Sequence, residues 1–141
     1  MKPAILAAVL VVVTASAPGP EFSHEIETVR QVAATVPGAT PDAPITSIEF
    51  VDNLENGEGP QTGIERDGLI LIDSRFRDTP EKILLHELAH AVTPGHGHDE
   101  VWCEVYFESV VLVVPDQYDS IKKHHQAWFE SCVGLTVGED D

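Results

Sequence analysis

Residues 81–102 read EKILLHELAHAVTPGHGHDEVW, and this stretch limits what the chain can become more than any other. Within it His86, Glu87 and His90 form H-E-x-x-H. On a helix, histidines four residues apart share one face, where both imidazoles reach a single metal ion. That is zinc-ligand spacing, and Glu87 beside them can act on a water without being a ligand itself. Helix signals frame the motif: Asp78 or Thr79 as N-cap, Pro80 at the first helical position, and Glu81 complementing the dipole. Leu84, Leu85, Leu88, Ala91 and Val92 supply an apolar face opposite the histidines. The helix should stop at Thr93-Pro94-Gly95, because Pro94 disfavours helical geometry at the residue before it.

The rest of the chain must cover that apolar face. A length of 141 residues with 43% hydrophobic content suits one domain with a modest core. Lys2, the apolar run Ala4 to Val13 and then Ala15-Ser16-Ala17 read as a secretory signal peptide, residues 1–17, cleaved after Ala17. The apolar run is shorter than the roughly 20 residues that span a bilayer, so no stable membrane association is expected after cleavage. Residues 18–133 form the expected domain, and 134–141 an acidic tail that frays.

Charge narrows the partners. Eight Lys and Arg stand against 24 Asp and Glu, a formal net charge of −16, and the longest basic run is Lys122-Lys123. A nucleic-acid surface needs clustered cations to release counterions, so that class of partner is excluded from the expectation. The acidity suits solubility outside the cell and, more weakly, a preference for basic substrates.

Along the chain, Pro18-Gly19-Pro20 breaks any preceding structure, and Ser23 is placed to cap a helix carrying Phe22, Ile26, Val29, Ala33 and Val36 at near-helical spacing. That helix should end at Pro37-Gly38. Residues 45–51 alternate as a half-buried strand through Ile48 and Phe50. Residues 52–61, rich in Asn, Gly and Glu, read as an exposed loop without calcium-loop spacing. Gly63 to Arg66, Asp67-Gly68 and Leu69 to Ile72 form a hairpin, since Asp-Gly suits a two-residue type I′ turn, and the second arm, apolar on both faces, should be buried.

After the motif, His98, Val101, Trp102, Val105, Tyr106 and Ser109 share the stripe of a second helix that runs to about Val113 and is closed by Pro115. A third helix carries Tyr118, Ile121, His125, Trp128, Phe129 and Cys132 on its face. The midpoint between Cys103 and Cys132 falls between Gln117 and Tyr118, where an antiparallel helix pair would turn, so a Cys103–Cys132 disulfide is expected in an exported protein. No C-x-x-C occurs, which excludes a cysteine-only zinc site.

Catalytic zinc usually has three protein ligands and an open position. For the third place His96, His98 and a glutamate on the next helix, Glu104 or Glu108, compete. His96 falls where metzincins place their third histidine, but Thr93 stands where that family has glycine, and the sole methionine is Met1. HELAH followed by a Gly-rich link and His98-Asp99-Glu100-Val101-Trp102 instead resembles the SprT-like zinc metallopeptidases. In that family a histidine followed four residues later by an aromatic completes the zinc site. The resemblance covers His86 to Trp102, with Asp99-Glu100 where a Gly-Pro pair is often found. It implies Zn2+ on His86, His90 and His98, and peptidase chemistry without the DNA partner, for which basic surface is lacking. His96 then remains as an alternative ligand or an oxyanion stabiliser, with Tyr106 and Tyr118 as further candidates for the latter role.

The expected architecture is α+β: a minimal zincin-like domain whose small, mostly antiparallel sheet packs against the H-E-x-x-H helix and two further helices. The expected activity is that of a secreted, monomeric zinc metallopeptidase acting on peptide or protein substrates, with Glu87 as general base. The rival is a non-catalytic secreted module with a closed structural zinc site. Glu87 would have little purpose there.

Overall fold

A strand that is apolar at every position, as Leu69 to Ile72 is, is stable only with neighbours on both edges and a covered face. In the computed structural model, which describes residues 20–124, that strand takes the middle of the sheet. Strands β1 (Ser47–Val51), β2 (Gly63–Arg66) and β3 (Leu69–Asp73) lie in the order β1-β3-β2. Ile70 and Ile72 are fully buried on the covered face.

The sheet is mixed, which corrects the expectation of a mostly antiparallel one. β2 and β3 pair antiparallel, whereas β1 and β3 pair parallel, Ser47 opposite Leu69 through Val51 opposite Asp73. The cause is the insertion of β3. The chain runs up β1, down β2 and up again, and once the most apolar strand settles between the other two it must lie parallel to the first. The β2–β3 hairpin has the expected turn, with φ of 53° at Asp67 and 88° at Gly68, positive at both central residues as type I′ requires. The preceding loop is largely exposed but held to the end of β3 and the turn after it, where the Ser74 hydroxyl donates to Asp52. The buried Asp73 carboxylate accepts hydrogen bonds from the Leu54 amide and from the amide and Nε of Arg75, each 3.0 Å, and Leu54 is itself buried.

Among the described residues four α-helices accompany the sheet: α1 (Ser23–Ala33), α2 (Glu81–Ala91), α3 (Glu100–Val113) and α4 (Tyr118–His124). α2 packs on β2 and β3, and α1 and α3 pack against it and each other. α2 is buried more completely than a one-sided helix, since Ile83, Glu87 and Ala89 join Leu84, Leu85, Leu88 and Ala91 inside. Three boundaries differ from expectation. Ser23 is the first residue of α1 instead of its cap, and α1 stops at Ala33, where turns through Thr35 and Val36 replace the last helical bonds. α2 has no side-chain cap from Asp78 or Thr79; the Thr79 amide bonds Phe76 O in the preceding turn, and Leu84 N closes the first helical bond onto Pro80 O at 2.7 Å.

His125, Trp128, Phe129, Cys132, the expected signal peptide and the expected acidic tail lie outside the described residues, and with them the expected Cys103–Cys132 bridge; Cys103 itself is fully buried on α3. Among the described residues no helix is long and apolar enough to cross a membrane.

A Cβ at Gly68, besides requiring the left-handed backbone, would collide with the Pro44 carbonyl oxygen. Gly68→Ala is therefore expected to destabilise the protein by at least about 1 kcal/mol, read as a lower denaturation midpoint at unchanged m-value. An unchanged midpoint would show that the turn relaxes freely.

Candidate metal centre and cleft

His86 and His90 face the same way from α2, one turn apart. His98 enters from the link ahead of α3, and its placement rests on Asp99, whose carboxylate caps α3 by accepting from the amides of Val101 and Trp102 at 3.0 and 3.1 Å. Asp99 also binds His96 Nδ1 at 2.7 Å. The two histidines of the link thus part company: His96 is held by the cap, while His98 joins the motif. His98 Nε2 lies 3.1 Å from His90 Nε2 and 3.2 Å from His86 Nε2, and the potential ligand atoms of all three lie within 4.8 Å of one another. His96 and the exposed Glu104 and Glu108 lie outside this group.

Three Nε2 atoms in such a triangle cannot all satisfy one another by hydrogen bonding, because each offers either one proton or one lone pair and at least one pair must set like against like. A cation at the centre resolves that conflict. Tetrahedral coordination with bonds near 2.05 Å separates the ligand nitrogens by about 3.3 Å, close to the spacing found. The residues therefore fit a metal ion.

Trp102 forms the floor. Its fully buried ring lies 4.5, 4.7 and 5.2 Å from the rings of His98, His86 and His90, centroid to centroid, and its Nε1 donates to His86 O at 3.3 Å. Tyr106, one turn on, stacks on Trp102 at 4.9 Å and meets the His86 ring edge-on at 5.5 Å.

Glu87 points from α2 towards β2, with its Oε2 4.0 Å from His86 Nε2, too far for a hydrogen bond. Its position depends on Gly63. A Cβ there would come within 2.7 Å of Ile83 Cγ2 and 3.0 Å of Glu87 Oε2, so only glycine lets β2 lie this close to the helix. The sequence carried a signal for this, a glycine opening a strand, and also one for Asp99, an acidic residue just ahead of an apolar-periodic run.

A cleft of about 460 Å³ opens over Glu87. It is lined by Gln61, Thr62 and Gly63 on the sheet side, by Phe76, Lys82, Ile83, His86 and Glu87, and by His98 and Tyr106. Tyr118 is absent from this lining and packs instead edge-on against Phe107 at 6.4 Å. No family model, no curated protein and no solved structure matches the chain, so the reading of this site rests on its own geometry.

Burial dominates the electrostatics. Desolvation, aided by the charge of Glu65, raises the Glu87 carboxyl to about 8. Desolvation, aided by His98, lowers His90 to about 4, and burial lowers His98 as well. Burial and the charge of Glu87 push the Tyr106 hydroxyl up. At neutral pH His90 and His98 are therefore neutral, the form that binds metal.

These shifts oppose each other in stability. Unfolding frees Glu87 to ionise near 4.5, so its contribution is lost as pH rises through its folded value of about 8. His90 acts in the other sense, its destabilising effect fading as pH rises towards 6.5, above which it is neutral in both states. Above pH 6.5 Glu87 alone remains of these two. Protein held in chelator should lose roughly 2 kcal/mol of stability between pH 6.5 and 8, and Glu87→Gln should abolish that slope. Denaturant titrations at the two pH values check this, and a slope surviving in Glu87→Gln would assign it to another group.

Proposed function

We propose that the chain is a zinc-dependent peptidase, similar to the SprT-like metallopeptidases in its HELAH, His98 and Trp102 arrangement. The observation that carries the reading is the convergence of three imidazole nitrogens beside a buried carboxylate at the floor of an open cleft. Three histidine ligands suit zinc among the first-row metals, and three protein ligands leave a fourth position for chemistry. Bound there, zinc would supply Lewis acidity to a peptide carbonyl and to the attacking water.

The chain's own residues do the rest. Glu87 accepts the proton of the attacking water and delivers it to the leaving amine, and a cation nearby lowers its carboxyl from the metal-free value into the ionised range. Trp102 fixes the histidine rings and excludes water beneath them. Tyr106 lines the cleft beside His86 and is placed to donate its hydroxyl to a developing oxyanion, a role that its raised pKa favours by keeping the proton in place. β2 is an edge strand whose first residue borders the cleft, so an extended peptide can pair with it and lie across Glu87. Residues 1–17 would act as an export signal, and the exported chain would work as a monomer.

Glu87→Gln should retain zinc and lose peptide hydrolysis by several orders of magnitude, whereas His86→Ala and His90→Ala should lose the metal. Metal content by mass spectrometry and turnover of a peptide mixture read both. Normal turnover in Glu87→Gln would overturn the mechanism; zinc retained by a wild-type protein that cleaves nothing would leave a non-catalytic zinc module.

The third ligand has its own test. His98→Ala should lower zinc affinity by at least about tenfold, the scale of even outer-shell losses. His96→Ala should leave affinity close to wild type, since His96 is bound to Asp99. The opposite pattern would make His96 the ligand.

A further inference from the structure

The cleft does not end at the metal centre. A second cavity, of about 260 Å³, shares Phe76, Lys82 and Ile83 with it and continues towards Gln117, Ser120 and Ile121 at the start of α4. Lys82 therefore stands at the junction of the two. It is one helical turn before His86 on α2, a rise of roughly 6 Å, which an extended peptide covers in about two residues. A substrate whose scissile bond lies at the histidines thus brings a side chain two residues away to the Lys82 ammonium.

The chemistry of this second cavity is one-sided. Its described lining carries Lys82 as its one charged group, a cation, together with the hydroxyls of Thr79 and Ser120 and the Gln117 amide, each able to donate a hydrogen bond to a carboxylate as well as to accept one, over the apolar surfaces of Phe76, Ile83 and Ile121. Among the described residues no carboxylate comes within ion-pairing distance of Lys82. Lys82 is half-buried as a residue and lines both cavities, so a pair formed with it inside the cleft is screened less than one on the open surface. The net charge of −16 acts against acidic ligands at long range, yet at physiological salt it is screened beyond about 8 Å, and contact with Lys82 decides the outcome inside the cleft.

From this placement we infer that the cavity beyond Lys82 is a specificity subsite that takes a carboxylate, either an Asp or Glu side chain or the substrate's own C-terminus, within two residues of the scissile bond. The inference rests on the peptidase reading for where the scissile bond lies, but the preference itself is a property of binding and has a readout of its own.

The test uses the zinc-loaded full chain carrying Glu87→Gln, which holds peptides without cleaving them. Fluorescent peptides with Glu, Gln or Lys at each of three positions, and a set with free or amidated C-termini, are titrated by anisotropy. Glu at one position, or the free C-terminus, should bind about fivefold tighter than its neutral counterpart. Adding Lys82→Met should erase the difference and Lys82→Glu should reverse it towards Lys peptides, while Lys123→Met, which removes the same charge outside the cleft, should leave it intact. The two peptide sets separate side chain from terminus as the source. Equal affinity for Glu and Gln peptides and for free and amidated termini, or a preference that survives Lys82→Met, would overturn the inference even if wild-type protein hydrolyses peptides. Absence of all hydrolysis with the Lys82-dependent preference intact would instead overturn the peptidase reading and uphold the subsite.

Discussion

The sheet reaches α2 at Gly63 and α3 reaches it at Trp102, and these two contacts decide where the polar residues of the helix point. A helix closed in on this many sides has few directions left for side chains that prefer water. His86 and His90 take the one remaining opening, above the Trp102 ring, and Glu87 takes the seam between helix and strand. Burying the helix therefore orients its reactive groups, and no separate device is needed to do so. The same enclosure sets their ionisation, because removing water disfavours the charged carboxyl at Glu87 and the charged imidazole at His90 alike.

Much of this was written locally. Pro80 immediately precedes α2 and Pro94 follows its last residue by three positions, Asp67-Gly68 carries its turn type in two residues, and the stripe from His98 through Val105 has the phase of α3. Each of these features depends on neighbours a few positions apart. The sheet order does not. That β1 pairs parallel with β3 depends on which strand wins the central place, a competition among residues far apart in sequence, the paired Ile48 and Ile70 being 22 positions apart, and alternation within a single strand says nothing of it. Gly63 is marked locally only as a glycine opening a strand; the demand for a bare backbone there comes from Ile83 and Glu87, which arrive from another element.

The site divides along the same line. Helical spacing predicts that His86 and His90 can share a ligand, but the competition between His96 and His98 turns on a cap. Asp99 must accept from α3 amides, and once it does so it sits three residues from His96 and captures that ring, leaving His98 to point inward. Local pattern made both histidines eligible; the hydrogen-bond accounting at one helix terminus separates them. Lys82 is a further case. In the sequence it is one more charge on a helix, and only the packing of Phe76 and α4 around it makes it the wall between two cavities.

Assembling such a centre costs folding free energy before any ligand arrives. Two imidazoles are held below their ordinary pKa, a carboxyl is held above its own, and three lone pairs are brought together at contact distance. A metal ion reverses each of these terms at once: it binds neutral imidazoles, turns opposed lone pairs into bonds, and favours the carboxylate form of Glu87. Because an unfolded chain holds no such triangle, the whole of that gain would belong to the folded state and add to its stability. The groups that weaken the fold without metal are therefore the ones through which a bound metal would strengthen it, and all three histidine rings meet over the buried ring of Trp102.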